Sequence, residues 1–140
     1  MKKIAIVFWS GTGNTEVMAE TVKEGAMGKG ADVEVFRASD FDKEKVALFD
    51  AIAFGCPAMG AEVLEEDEFE PMFASIEGAL SGKSIGLFGS YGWGDGQWMR
   101  EWEERCRNIG ANLVADGVMA NEAPDEEALL NCRNLGELLA

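Results

Sequence analysis

The chain has 140 residues, of which 26 are acidic and 12 basic, for a net charge of −14. So acidic a chain excludes nucleic acid and anionic membrane as partners, because both are held through Lys and Arg, and it favours a monomer that meets partners with basic surfaces. There is no histidine, which excludes Ser–His and Cys–His catalysis and every His-ligated metal site. Three cysteines, Cys56, Cys106 and Cys132, form no CxxC pair and no even set. Free thiols and a cytoplasmic location are expected. The apolar run after Lys2 and Lys3 is too short for a signal peptide, and no stretch approaches the ~20 apolar residues of a membrane span. The length fits one domain over residues 1–140.

Along the chain, short apolar runs alternate with longer amphipathic ones. The run 3–9 reads as a strand, followed by a loop and a helix over 15–29 with Val17, Met18, Val22 and Met27 on one broad face. A strand at 32–36, a weaker helix at 42–48 and a strand at 51–55 come next. A helix over 67–80 sets Phe69, Met72, Phe73, Ile76 and Leu80 at helical spacing. A strand at 84–89, a helix at 97–109, a strand at 112–119 and a helix at 125–139 complete the order. The first, third and fourth strands are almost continuously apolar, as buried parallel strands are. This alternation predicts an α/β fold, a doubly wound five-stranded parallel sheet in the order 2-1-3-4-5 with helices on both faces. Ligands in such folds sit beyond the carboxyl ends of the strands, so the loops there carry the functional question.

After the first strand stand Ser10, Gly11, Thr12, Gly13, Asn14 and Thr15. Small residues let backbone wrap an anion. The hydroxyl and amide side chains can donate, and the following helix points its free N–H groups and positive dipole end into the loop. The loop reads as a phosphate cradle without Lys or Arg. It also reads as a tight strand-to-helix turn with a capping Thr or Asn. It is not GxGxxG, since residue 16 is Glu16, and no Gly-Lys-Ser/Thr closes it as in a P-loop. Gly82-Lys83-Ser84 precedes a strand and reads as a turn.

After the third strand come Cys56, Pro57, Ala58, Met59, Gly60, Ala61 and Glu62. After the fourth come Ser90, Tyr91, Gly92, Trp93, Gly94, Asp95 and Gly96. A Trp between glycines in an exposed loop suggests a wall for something flat, with Met59 as the opposite wall. A Trp folded back over its own loop is the alternative. Trp98 and Trp102, at i and i+4 with Met99, read as core.

Taken together, Ser-Gly-Thr-Gly-Asn-Thr, Ala-Met-Gly and Gly-Ser-Tyr-Gly-Trp-Gly, in this order, resemble the short-chain flavodoxins of anaerobic bacteria over essentially the whole chain. The resemblance implies a flavodoxin-like FMN-binding domain that shuttles electrons between redox proteins at low potential, one electron at a time, without substrate turnover of its own. FMN would be bound non-covalently. It implies that residues 10–15 bind the FMN phosphate, that Trp93 and Met59 cover the two faces of the isoalloxazine, and that Glu62 accepts a hydrogen bond from the pyrimidine N–H. Backbone of Gly60 and Gly92 would touch the ring edge, with Pro57, Ala58, Tyr91 and Gly94 in the same two loops. Ser90 and Asn121 would lie near the ribityl chain or ring. A flip of the peptide after Gly60 would offer a carbonyl to flavin N(5) on reduction. Ala61 stands where relatives often carry Asp, Asn, Ser or Gly, and would resist a left-handed turn by roughly 1–2 kcal/mol. The acidic residues Glu62, Glu65, Glu66, Asp67, Glu68 and Glu70 would guide basic redox partners, or simply complement a helix N-terminus. A phosphoacceptor domain of the same topology would need an acidic cluster after strand one, where Phe8, Trp9 and Ser10 stand. A flavoenzyme would need a further substrate pocket. A Cys56 phosphatase would need Arg where Glu62 stands.

Overall fold

A computed structural model describes residues 2–60 and 62–140; Ala61, with its expected role in the turn, lies outside the described residues. The elements are β1 (Lys3–Phe8), α1 (Asn14–Gly28), β2 (Asp32–Arg37), α2 (Lys43–Val46), β3 (Ala51–Gly55), α3 (Phe69–Ile76), β4 (Ser84–Tyr91), α4 (Gln97–Asn108), β5 (Asn112–Leu113), β6 (Val118–Asn121) and α5 (Glu126–Leu139). All strand pairs are parallel, in the order β2-β1-β3-β4-β5, with β6 also on β4. This is the expected doubly wound sheet.

Burial explains the apolar runs. Every residue of β3 and all but the first of β1 are buried, because helices cover both faces of the central strands. The edge strand β2 has no fully buried residue and carries Asp32, Glu34 and Arg37. On one face, α3 and α4 bring Phe69, Phe73, Trp98 and Trp102 onto Phe54 and Leu87. Edge-to-face pairs organise this layer: Phe54–Phe73 at 5.2 Å and Phe69–Trp102 at 5.4 Å between centroids. Trp98 and Trp102 are each 2% exposed and are core, as their spacing predicted. On the other face, α1 and α5 bury Met18, Val22, Ala26, Cys132, Leu135 and Leu139. These two helices touch backbone to backbone. A Cβ on Gly25 would collide with the Arg133 carbonyl, and one on Gly136 with the Val22 carbonyl.

Four expectations change. Val17 and Met27, expected on one face of the first helix with Met18 and Val22, are exposed, while Met18 and Val22 are buried. The fifth strand is two short pieces. Ser84 pairs with Asn112 and Phe88 with Val118, so the outer strand runs two residues longer than β4 over the same span. The detour is held from α4, where the Glu103 carboxylate accepts the Gly117 amide at 2.7 Å and Met99 packs against Gly117. Ser90 and Tyr91, expected in a loop, are the last residues of β4, because β6 pairs with them. The helix expected over 67–80 is α3 plus one 3₁₀ turn at Glu77–Ala79.

Helix starts differ in a way that matters. Asp42 caps α2 by accepting the Lys45 amide at 3.1 Å, and Asp125 caps α5 by accepting the Ala128 amide at 2.8 Å. The residue preceding α1 is Gly13, which has no side chain to cap the helix. Its N-terminus opens at the carboxyl edge of the sheet, between β1 and β3, where the strand order reverses.

Candidate functional site

Gly13 precedes α1 with φ 96°, a left-handed conformation that glycine adopts without strain. It turns the chain so that residues 10–15 encircle the helix end. Ser10 Oγ accepts the amides of Gly13 at 3.1 Å and Glu16 at 3.3 Å, which leaves its own O–H proton to aim elsewhere. Among the described residues, the amides of Gly11, Thr12, Asn14 and Thr15 donate to no protein acceptor. Four free N–H groups at a helix N-terminus are an arrangement able to accept an anion. Thr15 is 1% exposed, and its hydroxyl is shared with Ser90 Oγ at 3.1 Å, tying the cradle to β4.

A cavity of about 340 Å³ opens from this cradle. Ser10, Gly11, Thr12, Asn14 and Thr15 form one end, and Pro57, Ala58, Met59, Ser90, Tyr91 and Gly92 form the sides. Among the described residues, no Lys or Arg lines it. Gly60, Glu62, Trp93, Gly94 and Asn121 lie outside its lining, as does Gly13. Trp93 is 66% exposed and Met59 36% exposed, one on each of the two loops. Asn121 ends β6 opposite Tyr91.

The two loops are held by backbone. Ala58 N donates to Ser90 O at 2.9 Å. Met59 and Val63 exchange two hydrogen bonds, at 2.8 and 3.0 Å, closing a turn at whose tip Gly60 has φ 50°. Glu62, at φ 57°, lays its carboxylate over Gly94 and accepts the Asp95 amide at 3.1 Å. Below the turn, Glu65 is 5% exposed. Its burial works against a charge, but the amides of Phe69, Glu68 and Asp67 outweigh it and hold the carboxyl below its ordinary value. The Cys56 thiol beneath Pro57 is pushed upward by burial and is not a nucleophile.

Two lining residues escaped the sequence reading. Trp9 follows β1 and packs over Gly11, where a Cβ would sit 3.1 Å from the ring, while its indole N–H reaches Glu68 at 3.4 Å. Its place at the end of an apolar run was the available signal. Glu122 lines the opposite side at φ 57° and donates its amide to Tyr91 O at 2.7 Å. Nothing in its neighbourhood of sequence marks it.

The residues present fit a long ligand with an anionic end and a flat apolar body. FMN has that shape, and a neutral cradle of free amides suits its phosphate. Fold and site together define the class: an α/β protein of flavodoxin-like topology with a cleft at the switch point whose lining fits flavin mononucleotide.

Comparisons with known proteins agree. The flavodoxin family profile matches residues 6–136. Flavodoxin of Megasphaera elsdenii is 46% identical over 137 residues, covering 98% of each chain. That of Clostridium beijerinckii is 47% identical over 135 residues, covering 96% of this chain and 97% of its own. The solution structure of two-electron reduced Megasphaera elsdenii flavodoxin superposes with a TM-score of 0.90, over 97% of both chains. The chain belongs to the flavodoxin family and is an FMN-binding electron carrier.

Proposed function

We propose that this chain carries single electrons at low potential between redox proteins, with FMN in the cleft at the ends of β1, β3 and β4. The observation that supports this most is the set of four amides, unpaired among the described residues, at the start of α1 and opening into an apolar slot. Residues 10–15 hold the phosphate by N–H and O–H donors. Met59 and Trp93 close over the ring faces, and both stand free to do so. Pro57, Ala58, Tyr91, Gly92 and Gly94 shape the slot, and Ser90 and Asn121 flank the ribityl side. Glu62 accepts from the ring edge with the carboxylate oxygen that does not hold Asp95.

FMN supplies the one-electron chemistry when bound. The protein sets where that chemistry falls on the potential scale. Apolar walls exclude water beside the ring. Glu62, Glu122 and the −14 net charge oppose any added negative charge. The peptide after Gly60 offers a hydrogen-bond acceptor, and glycine makes its reorientation inexpensive.

Residues 1–140 act as one unit in this reading: one sheet takes strands from Lys3 to Asn121, and α5 returns onto α1. The chain turns over no substrate of its own, works as a monomer in the cytoplasm, and docks basic partners on its acidic face. Three free buried cysteines and the charge support this. Among the described residues no helix is long and apolar enough to cross a membrane.

The test is binding of FMN and riboflavin to the apoprotein, followed by anaerobic reductive titration. FMN should bind far more tightly than riboflavin, and reduction should proceed in two separate one-electron steps. Equal affinity for the two flavins would remove the phosphate cradle. A single two-electron step would remove the one-electron carrier.

A further inference from the structure

The turn closed by the Met59–Val63 pair hangs between two attachment points. One is the Ala58 amide on Ser90 O. The other is a single buried residue, Glu65, two positions beyond the Met59–Val63 bridge. Its carboxylate accepts three amides, those of Asp67, Glu68 and Phe69, each at 2.8 Å. Its own amide donates to Cys56 Sγ at 3.3 Å, and its carbonyl accepts the Glu70 amide at 2.8 Å. One residue thus binds the end of β3 to the first turn of α3, directly under the turn.

A cap for α3 needs no burial. Asp42 and Asp125 do the same work with one amide each, at helix starts beside exposed residues. A buried carboxylate is costly unless each lone pair is used, and here the donors converge from the segment immediately below the turn. We propose that Glu65 is a positioning residue for the flavin: it fixes the foot of the turn closed by Met59 and Val63, and so holds Met59 and Gly60 in place beside the cleft. This rests on the reading of that turn as a wall of the flavin site.

A loosened foot leaves the turn more conformations to lose when it orders against the ring. The state that depends most on an ordered tip then suffers most. Glu65→Gln tests this in the full chain loaded with FMN, since it keeps the volume and one carbonyl oxygen and so keeps part of the cap. The expected result is about tenfold weaker affinity for the one-electron-reduced than for the oxidised cofactor, relative to wild type. That is a fall in the first midpoint potential of about 59 mV. Asp42→Asn, which weakens a cap away from the site, should leave both potentials unchanged.

If Glu65→Gln lowers resistance to denaturant while FMN affinity and both potentials stay at wild-type values, Glu65 is a helix cap and the proposal falls. If the variant does not load FMN, hydrogen exchange of the wild-type apoprotein decides. Met59 and Val63 amides protected to the same degree as the Phe69 amide support a common clamp; exchange a hundredfold faster than Phe69 overturns it. Failure of the wall reading has a different signature: Met59→Ala would then leave both potentials unmoved.

Discussion

The Glu62 carboxylate accepts the Asp95 amide at 3.1 Å across the gap between the two loops that flank the cleft. The pair joins the turn after β3 to the Trp93 loop after β4, so the two loops beside the cleft are not independent. Glu62 reaches Asp95 because Gly94 has no side chain: a Cβ there would collide with the carboxylate.

Glu62→Gln should keep the Asp95 contact through its amide oxygen while removing the charge that the proposed function sets beside the ring. The second midpoint potential should rise by on the order of 59 mV, a tenfold change for one electron. Glu62→Ala should also unlink the loops and weaken binding of oxidised FMN by about tenfold, or ~1.4 kcal/mol. Spectroelectrochemistry with a fluorescence binding curve reads both, and an unmoved second potential in the Gln variant would remove the electrostatic role.

Gly13→Ala meets no neighbour, since nothing lies within 4 Å of its added Cβ. Its cost is conformational, about 1–2 kcal/mol at φ 96°. The cradle amides should lose their convergence. FMN affinity should fall while riboflavin affinity stays level, so the ratio of the two dissociation constants is the measurement.

Gly25→Ala and Gly136→Ala should each cost about 2–3 kcal/mol. Each drives a methyl group into the backbone of the facing helix. Urea denaturation of the apoprotein measures the loss, and FMN affinity in the folded fraction should be near wild type because neither helix face lines the cleft.

Acid should weaken the fold through Glu65. Its folded-state carboxyl lies below the ordinary value, so its contribution is fully present above the unfolded value, about 4.3, and is lost as pH falls through the folded one. Wild type should exceed Glu65→Gln in denaturation midpoint at pH 7, and the gap should narrow below about pH 4. A gap constant with pH would show that the charge is not what the three amides hold.

The three thiols should be silent in the native protein. Burial raises Cys106 and Cys132 to about 12, and Cys56 higher still. A thiol reagent at pH 8 should label none in the folded apoprotein and all three in guanidinium. Rapid native labelling would mean that the core opens far more often than its packing implies.

Much of this molecule was readable in consecutive residues. β1 and β3 announced themselves because strands covered on both faces must be apolar throughout. Trp98 and Trp102 announced a core face by their spacing, and residues 10–15 announced a turn of small residues with free amides at a helix start, because both are local properties. What tertiary structure alone decided was set by contacts between distant segments. The fifth strand divides because Glu103 and Met99, on α4, hold Gly117. β4 runs on to Tyr91 because β6 lies beside it. Thr15 meets Ser90, Glu62 meets Asp95, and Trp9 and Glu122 enter the lining from separate strand ends. Local chemistry determines which segments can form an element or hold an anion. Only the packed sheet and helices bring residues far apart in the chain within hydrogen-bonding reach, and those meetings shape the cleft.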